Sequence, residues 1–185
     1  MSRKTKKAKR RDPPATKLLD EMLNTHLSFE INTFLLGELL WNGNGDRSTR
    51  VDLLRESCLI HMRLLLAFFY PRPKELKFSP YRDIFITDYI STDKSRWPDR
   101  LKGLIDPPPA WLADFRRKLN LQLAHLTLDR IHLEETDLHR WDVKTPFRHV
   151  GLLIDEFLEA LPPERRRLYD PKRGWPGSQS SPLEY

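Results

Sequence analysis

The run at positions 119–130 decides the fold and reads Leu119-Asn120-Leu121-Gln122-Leu123-Ala124-His125-Leu126-Thr127-Leu128-Asp129-Arg130. Leucines recur in it between polar residues, and no proline or glycine interrupts them. This pattern favours a helix with an apolar face. One imidazole, that of His125, stands among the leucines. The run therefore predicts a core helix that carries an ionisable base.

This helix is expected to extend beyond the run on both sides, from about Ala110 to about Glu135. Three consecutive prolines precede it and favour a break there. A further helix is predicted from about Thr145 to Leu161, with Thr145 as its cap and Pro146 at its first position. The expected buried residues of this last helix are Phe147, Val150, Leu153, Ile154, Phe157, Leu158 and Leu161.

Two long helices are predicted before the run. The first is expected from about Thr16 to Leu40, and the second lies between a cap at Asp46 or Ser48 and Pro71, which ends it. The predicted buried face of the first holds Leu19, Met22, Leu23, His26, Phe29, Phe34, Leu35 and Leu39. The predicted buried face of the second holds Val51, Leu54, Cys58, His61, Leu65 and Phe69.

Prolines break the helical pattern between positions 71 and 109, where one helical turn is expected around 81–89. Strand patterns are nearly absent. The predicted fold class is all-α, an antiparallel four-helix bundle with a long irregular insertion between its second and third helices. The expected bundle covers residues 16–162, with a basic disordered arm at 1–15 and a flexible tail at 163–185.

Length and composition limit the class of protein. A chain of 185 residues and 22.0 kDa suits one domain with appendages. No apolar run approaches the roughly 18 residues of a membrane span, and the basic start is not followed by the apolar stretch of a secretory signal. Cys58 is the single cysteine, so no intramolecular disulfide forms. We expect a soluble, cytoplasmic protein without membrane association.

The positive charge is concentrated at the beginning of the chain. Seven of the 32 Lys and Arg residues precede Asp12, which leaves 25 basic residues against 26 acidic ones from Asp12 onward. A basic arm can neutralise phosphates and give weak, salt-sensitive binding to nucleic acid. It can equally be a solubilising tail, since a basic segment is a motif of low specificity.

Two stretches of the chain resemble the HEPN superfamily. Asn120 stands five residues before the His of Ala124-His125-Leu126-Thr127, as in the signature helix of that family. The stretch 55–65, with His61-x-Arg63, resembles the second helix of bacterial abortive-infection HEPN proteins. The family places an Arg beside the polar residue, where this chain has Leu119. The resemblance covers roughly residues 16–162 and implies a four-helix domain that commonly dimerises and often cleaves RNA without metal.

Helix geometry ranks the candidate catalytic residues. Lys118 returns to within about 20° of the face of His125, whereas Arg117 lies about 80° and Asn120 about 140° from it. In metal-free RNA cleavage, His125 would exchange protons with the ribose 2′-hydroxyl or the leaving oxygen. Lys118 or Arg63 would stabilise charge on the phosphoryl oxygens, and Asn120 would orient the nucleotide.

Each candidate also has a structural interpretation. His125 and Asn120 can be packed, hydrogen-bonded core residues, and His61 is expected to have a structural role on its apolar stripe. Together with Arg117, the side chains of His61, Arg63 and Arg130 are candidates for binding phosphate. For Arg63 the alternative is a solvated side chain, and for Arg130 it is an ion pair with a nearby carboxylate.

No cofactor is expected, and no metal site either, because His132, His139 and His149 lack ligand spacing. The expected partners are RNA, a second copy of the chain, or an antitoxin or other defence protein. Thr127 occupies the position at which HEPN proteins modified by nucleotidyltransferases have tyrosine. Two hypotheses remain: a HEPN-like bundle that binds RNA or a protein partner in a defence or toxin–antitoxin context, and a metal-independent endoribonuclease that uses His125.

Overall fold

A computed structural model describes residues 14–42, 49–72, 83–124 and 143–171 of the chain. Within these ranges all regular structure is helical and there is no strand, so the predicted all-α class is confirmed. None of the described helices is long and apolar enough to cross a membrane. The α-helices are α1 (Thr16–Met22), α2 (Ser28–Asn42), α3 (Thr49–Phe69), α4 (Ile86–Tyr89), α5 (Asp99–Ile105), α6 (Leu112–Ala124), α7 (Lys144–Ala160) and α8 (Pro163–Arg166).

A π-helical turn, Leu23–Leu27, joins α1 to α2 without a break. A π turn contains more residues than an α turn and so changes which side chains face the core. The buried positions are therefore spaced four residues apart, at Leu19, Leu23, Leu27 and Ile31. The predicted buried face was wrong at His26 and Phe29, which are exposed.

Helices α2 and α3 approach each other closely at Gly37. A Cβ atom at this position would clash with the side chain of Cys58, which is buried on α3. The Cys58 thiol also lies 3.6 Å from the carbonyl oxygen of Phe34. Glycine is therefore required here by the separation of the two helices. The predicted buried positions Cys58, Leu65 and Phe69 of α3 are confirmed.

The last long helix, α7, packs an apolar stripe into the hydrophobic core. Its predicted stripe is confirmed, with Leu158 partly buried and the other six positions buried. The predicted cap was wrong, because Val143 occupies the N-cap position and Thr145 lies inside the first turn. Pro146 is tolerated there since first-turn amides have no partner within the helix.

The segment between α3 and α6 contains more regular structure than its prolines suggested. The predicted helical turn is present as α4, but α5 and a 3₁₀ turn at Lys94–Arg96 were not predicted. Helix α5 follows Pro98, which occupies its N-cap, and it packs against α7. The segment also contributes buried side chains to the core, at Phe85, Ile86, Tyr89, Trp97, Leu101 and Ile105.

Residues 163–171, the first part of the predicted tail, lie against α1 and α2. They contain α8, and Leu168 and Tyr169 pack on the hydrophobic core. Arg165 forms an ion pair with Asp20 in α1, with 2.9 Å between Nε and Oδ1. This segment therefore connects the end of α7 to α1 and α2.

Candidate functional site

The predicted signature helix is described as far as Ala124, so His125 and Arg130 lie outside the described residues. In α6, Leu112, Phe115 and Leu119 face the core, and Leu119 is completely buried. Asn120, the next residue, is exposed. The position that carries Arg in the HEPN motif is therefore a packing position in this chain.

Two of the candidate cations share one carboxylate, in what we term the α6 charge cluster (Asp114, Arg117 and Lys118). Lys118 Nζ lies 2.8 Å from Asp114 Oδ2, and Arg117 Nη2 lies 2.9 Å from Oδ1. Hydrogen bonds from Lys118, and then from Arg117, lower the pKa of Asp114. Arg117 and Lys118 follow Asp114 by three and four positions, so the three side chains form their ion pairs along one face of α6.

The candidates on α3 have different surroundings. His61 Nδ1 lies 2.5 Å from Glu30 Oε2 of α2, and the imidazole meets the edge of the Phe29 ring at 5.5 Å between centroids. His61 has only 12% of its side chain exposed, whereas Arg63 is exposed. Glu30 thus orients His61 on the α2–α3 pair, and Arg63 points to solvent.

A third polar group, which we term the Tyr70–His149 junction, was not predicted. Tyr70 Oη lies 2.8 Å from the carbonyl oxygen of Leu104 and 2.6 Å from His149 Nε2. The phenol donates its one proton to Leu104, so the Nε2–H tautomer of His149 satisfies the second contact. The junction therefore connects the end of α3 to α5 and α7.

Burial keeps both partners of the junction neutral. It raises the pKa of Tyr70, an effect that the Arg116 guanidinium partly opposes. It also lowers the pKa of His149, although the carbonyl of Leu104 acts in the opposite direction. The Trp111 ring meets the imidazole edge-on at 5.4 Å between centroids. The junction is thus a neutral, internally satisfied contact between helices.

Arg116 adds contacts at the end of α3. Its Nη2 donates to the carbonyl oxygen of Tyr70 at 2.7 Å and also to that of Leu66. The Leu66 carbonyl also accepts from the backbone N–H of Tyr70 at 3.0 Å, and the Tyr70 carbonyl lies just beyond the last residue of α3, where helical donors run out. A cation at a helix C-terminus also interacts favourably with the helix dipole. Arg116 therefore caps α3 from α6.

The sequence offered little signal for this junction. Tyr70 and His149 are 79 positions apart, and no motif or spacing relates them. The one usable signal was the position of Tyr70 just before Pro71, at a helix end where polar groups need partners. Groups of three or more His, Cys, Asp or Glu side chains that could hold a metal ion do not occur in the described part of the chain.

Comparisons of the chain with protein families, with curated proteins and with solved structures found no significant match. The HEPN resemblance therefore rests on the two stretches of sequence that carry it.

Proposed function

We propose that this chain is a HEPN-like four-helix bundle that binds a protein partner and does not cleave RNA. One observation carries the proposal, the complete burial of Leu119 where the HEPN motif has Arg. A buried Arg would need a partner for its charge, so this position suits packing and not phosphate binding. The resemblance supplies the setting, which is bacterial defence or a toxin–antitoxin system.

The proposed bundle takes α1 and α2 as its first helix and α3, α6 and α7 as the other three. In support of it, α3 lies against α2, α6 and α7, which gives the four helices a shared core. Residues 71–109 are then the insertion between the second and third helices. Because α5 packs against α7, this insertion also stabilises the bundle.

The α6 charge cluster supports a binding role over catalysis. Lys118, the best-placed cation for cleavage, already has Asp114 at 2.8 Å. A phosphoryl group that gains charge in a transition state would compete with that carboxylate. Lysine also lacks the planar fork with which Arg binds two phosphate oxygens.

Exposed apolar side chains on the α2–α3 pair favour a protein over RNA as the partner. Phe29, Ile60 and Leu64 are 42%, 46% and 48% exposed. Ile60 and Leu64 are one turn apart on α3, and Phe29 contacts His61, the neighbour of Ile60. Apolar patches on a surface mark sites of protein interaction. After Arg11 the chain has 25 basic and 26 acidic residues, which gives no general attraction to phosphate.

The proposal is tested by incubating mixed-structure RNA with the purified full chain in the presence of a chelator. The His125→Ala chain is the matched control, and cut ends are analysed for cyclic phosphate. We expect no cleavage by either protein, with both shown to be folded by circular dichroism. Cleavage by the wild-type chain that His125→Ala abolishes would overturn the proposal.

The second candidate function is metal-independent endoribonuclease activity with His125, Asn120 and Lys118. The exposed side chain of Asn120, which leaves it able to contact a nucleotide, favours it. In this case Lys118→Ala would lower the cleavage rate without unfolding the protein, since Lys118 lies at the surface. The same assay therefore separates the two functions.

A further inference from the structure

Ser28 and Asn32 are buried polar residues at the beginning of α2. Their exposed fractions are 0% and 2%, and they lie one turn apart on the same side of the helix. The hydroxyl of Ser28 donates to the carbonyl oxygen of Leu23, in the π turn, at 2.7 Å. Its oxygen still has room to accept a hydrogen bond. We term Ser28 and Asn32 the seat.

The seat binds the backbone of a single residue of the segment 163–171. The N–H of Asp170 donates to Ser28 Oγ at 3.1 Å, and Asn32 Nδ2 donates to the carbonyl oxygen of Asp170 at 2.7 Å. One side chain thus accepts from the residue and the other donates to it, as a neighbouring strand would. These two contacts do not depend on which side chain the bound residue carries.

Tyr169, the residue before Asp170, makes the contact that depends on the identity of a bound side chain. The hydroxyl of Tyr169 donates to Asn32 Oδ1 at 2.7 Å, so Asn32 uses both ends of its amide. Burial raises the pKa of Tyr169, so the phenol remains a neutral donor. A phenylalanine at this position would leave the amide oxygen without this donor. The seat is therefore complementary to a tyrosine followed by one residue whose backbone N–H and carbonyl reach Ser28 and Asn32.

The segment has two groups of contacts. Arg166 donates to Glu159 and Arg165 pairs with Asp20, so α8 is fixed at the end of α7. Beyond α8, the amides of Leu168 and Tyr169 donate to the carbonyls of Arg165 and Arg166, both side chains pack on the core, and three hydrogen bonds join residues 169–170 to the seat. Release from the seat would break those three hydrogen bonds and uncover the packed side chains, while the contacts of α8 with α1 and α7 are separate from them.

We propose that the seat is a peptide-binding site, filled by the chain's own Tyr169–Asp170 and open to a tyrosine-containing segment of a partner protein. This inference rests on the proposed role as a protein-binding bundle and names the chemistry of the partner. The internal segment acts as a competitor, since a tethered ligand has a high effective concentration at its site. The partner's apparent affinity is reduced by the fraction of seats that are filled internally.

The test measures fluorescence anisotropy of a labelled peptide, Arg-Leu-Tyr-Asp-Pro-Lys, which copies residues 167–172. It is added to the full wild-type chain and to the full Tyr169→Ala chain, in which the internal competitor has lost its hydroxyl. We expect at least about tenfold tighter binding to the Tyr169→Ala chain. The matched control peptide has Phe in place of Tyr and should bind more weakly.

Two results would overturn the inference. They are the absence of peptide binding to a folded Tyr169→Ala chain, and equal binding to both chains, which would locate the peptide elsewhere. Exchange of the segment between two copies, seen as a wild-type dimer that Tyr169→Ala dissociates, would replace the partner protein by a second copy. In each case the RNA cleavage assay is unaffected, so failure of this inference is distinguishable from failure of the proposed function.

Hydrogen exchange supplies a second measurement in case the substituted chain is less stable. The Asp170 amide should be protected in the wild-type chain and exchange faster in the Ser28→Ala chain, which lacks its acceptor. The amide of Leu158 within α7 is the internal reference and should keep its protection. An Asp170 amide that exchanges freely in the wild-type chain would show that the seat is not occupied in solution, which contradicts the internal competitor.

Discussion

The α6 charge cluster and the Tyr70–His149 junction differ in what they contribute to folding. In the charge cluster the side chains of Asp114, Arg117 and Lys118 are 54%, 61% and 32% exposed, so water screens their attraction. In the junction the buried phenol of Tyr70 donates to the carbonyl oxygen of Leu104 and contacts the partly buried imidazole of His149. The candidate cations that the motif indicated, Arg117 and Lys118, thus contribute little to folding. The helices are joined instead by Tyr70 and His149, which the motif did not indicate.

The largest expected effect comes from restoring the Arg of the motif. Leu119→Arg places a guanidinium in the core, and we expect the free energy of unfolding to fall by about 3 kcal/mol or more. Urea denaturation measures the change. The matched control is Asn120→Arg, which adds the same group at the exposed neighbour and should change stability by less than about 0.5 kcal/mol.

A Leu119→Arg chain with wild-type stability would contradict this expectation. It would mean that the side chain can reach solvent from this position, as an Arg of the HEPN motif must. The protein would then be the best variant in which to look for RNA cleavage.

Two adjacent arginines of α6 are expected to differ in how much they stabilise the fold, and the difference is smaller than the effect of Leu119→Arg. Arg116→Met removes the donors to the last carbonyls of α3, and we expect a loss of about 1–3 kcal/mol in the free energy of unfolding. Arg117→Met removes only a contact of the charge cluster and should leave the urea midpoint unchanged. Equal loss in both variants would show that the charge cluster contributes to folding as much as the helix cap does.

The contribution of the Tyr70–His149 junction can be distinguished from that of the charge cluster by measuring the free energy of unfolding at different pH values. Burial lowers the pKa of His149 in the folded chain, whereas unfolding returns it to about 6.5. As pH falls below that value the unfolded chain binds a proton first. The contribution of His149 to the free energy of unfolding is therefore fully present above about pH 6.5. It declines as the pH falls toward the lower pKa of the folded chain.

His149→Gln should flatten this part of the pH profile, because glutamine does not titrate. Urea unfolding at several pH values between 5 and 8, about the interval in which histidine titrates, gives the measurement. His26→Gln, at an exposed position of the π turn, is the matched control. An unchanged profile in the His149→Gln chain would assign the pH dependence to other groups.

Much of the helical architecture was predictable because its signal is periodic. Apolar residues at three- and four-residue spacing predicted the buried stripe of α7 and the buried positions Cys58, Leu65 and Phe69 of α3. Two local features escaped that reasoning. The π turn shifts the register of the first helix, and α5 lies between prolines that indicated irregular structure.

The functional residues were less accessible to sequence reasoning. Arg117 and Lys118 were identified from helix geometry, but their shared partner Asp114 was not. The contacts of Ser28 and Asn32 with residues 169–170, and that of Tyr70 with His149, join distant parts of the chain. Such pairs depend on how the helices assemble, and a single sequence does not encode that in any local pattern. The position of His125 lies outside the described residues.

The smallest expected effect concerns binding and not stability. Asp114→Asn removes the carboxylate that Arg117 and Lys118 share, so the net charge of the α6 charge cluster becomes more positive. We expect single-stranded RNA to bind a few-fold tighter at low salt, with a steeper dependence on salt concentration, because more counterions are released.

Asp99→Asn makes the same charge change on α5, away from the cluster, and is the matched control. Anisotropy titrations at two salt concentrations compare the chains. If Asp114→Asn and Asp99→Asn bind RNA equally, the α6 charge cluster does not contact nucleic acid, and its pairing around Asp114 serves only the helix on which it lies.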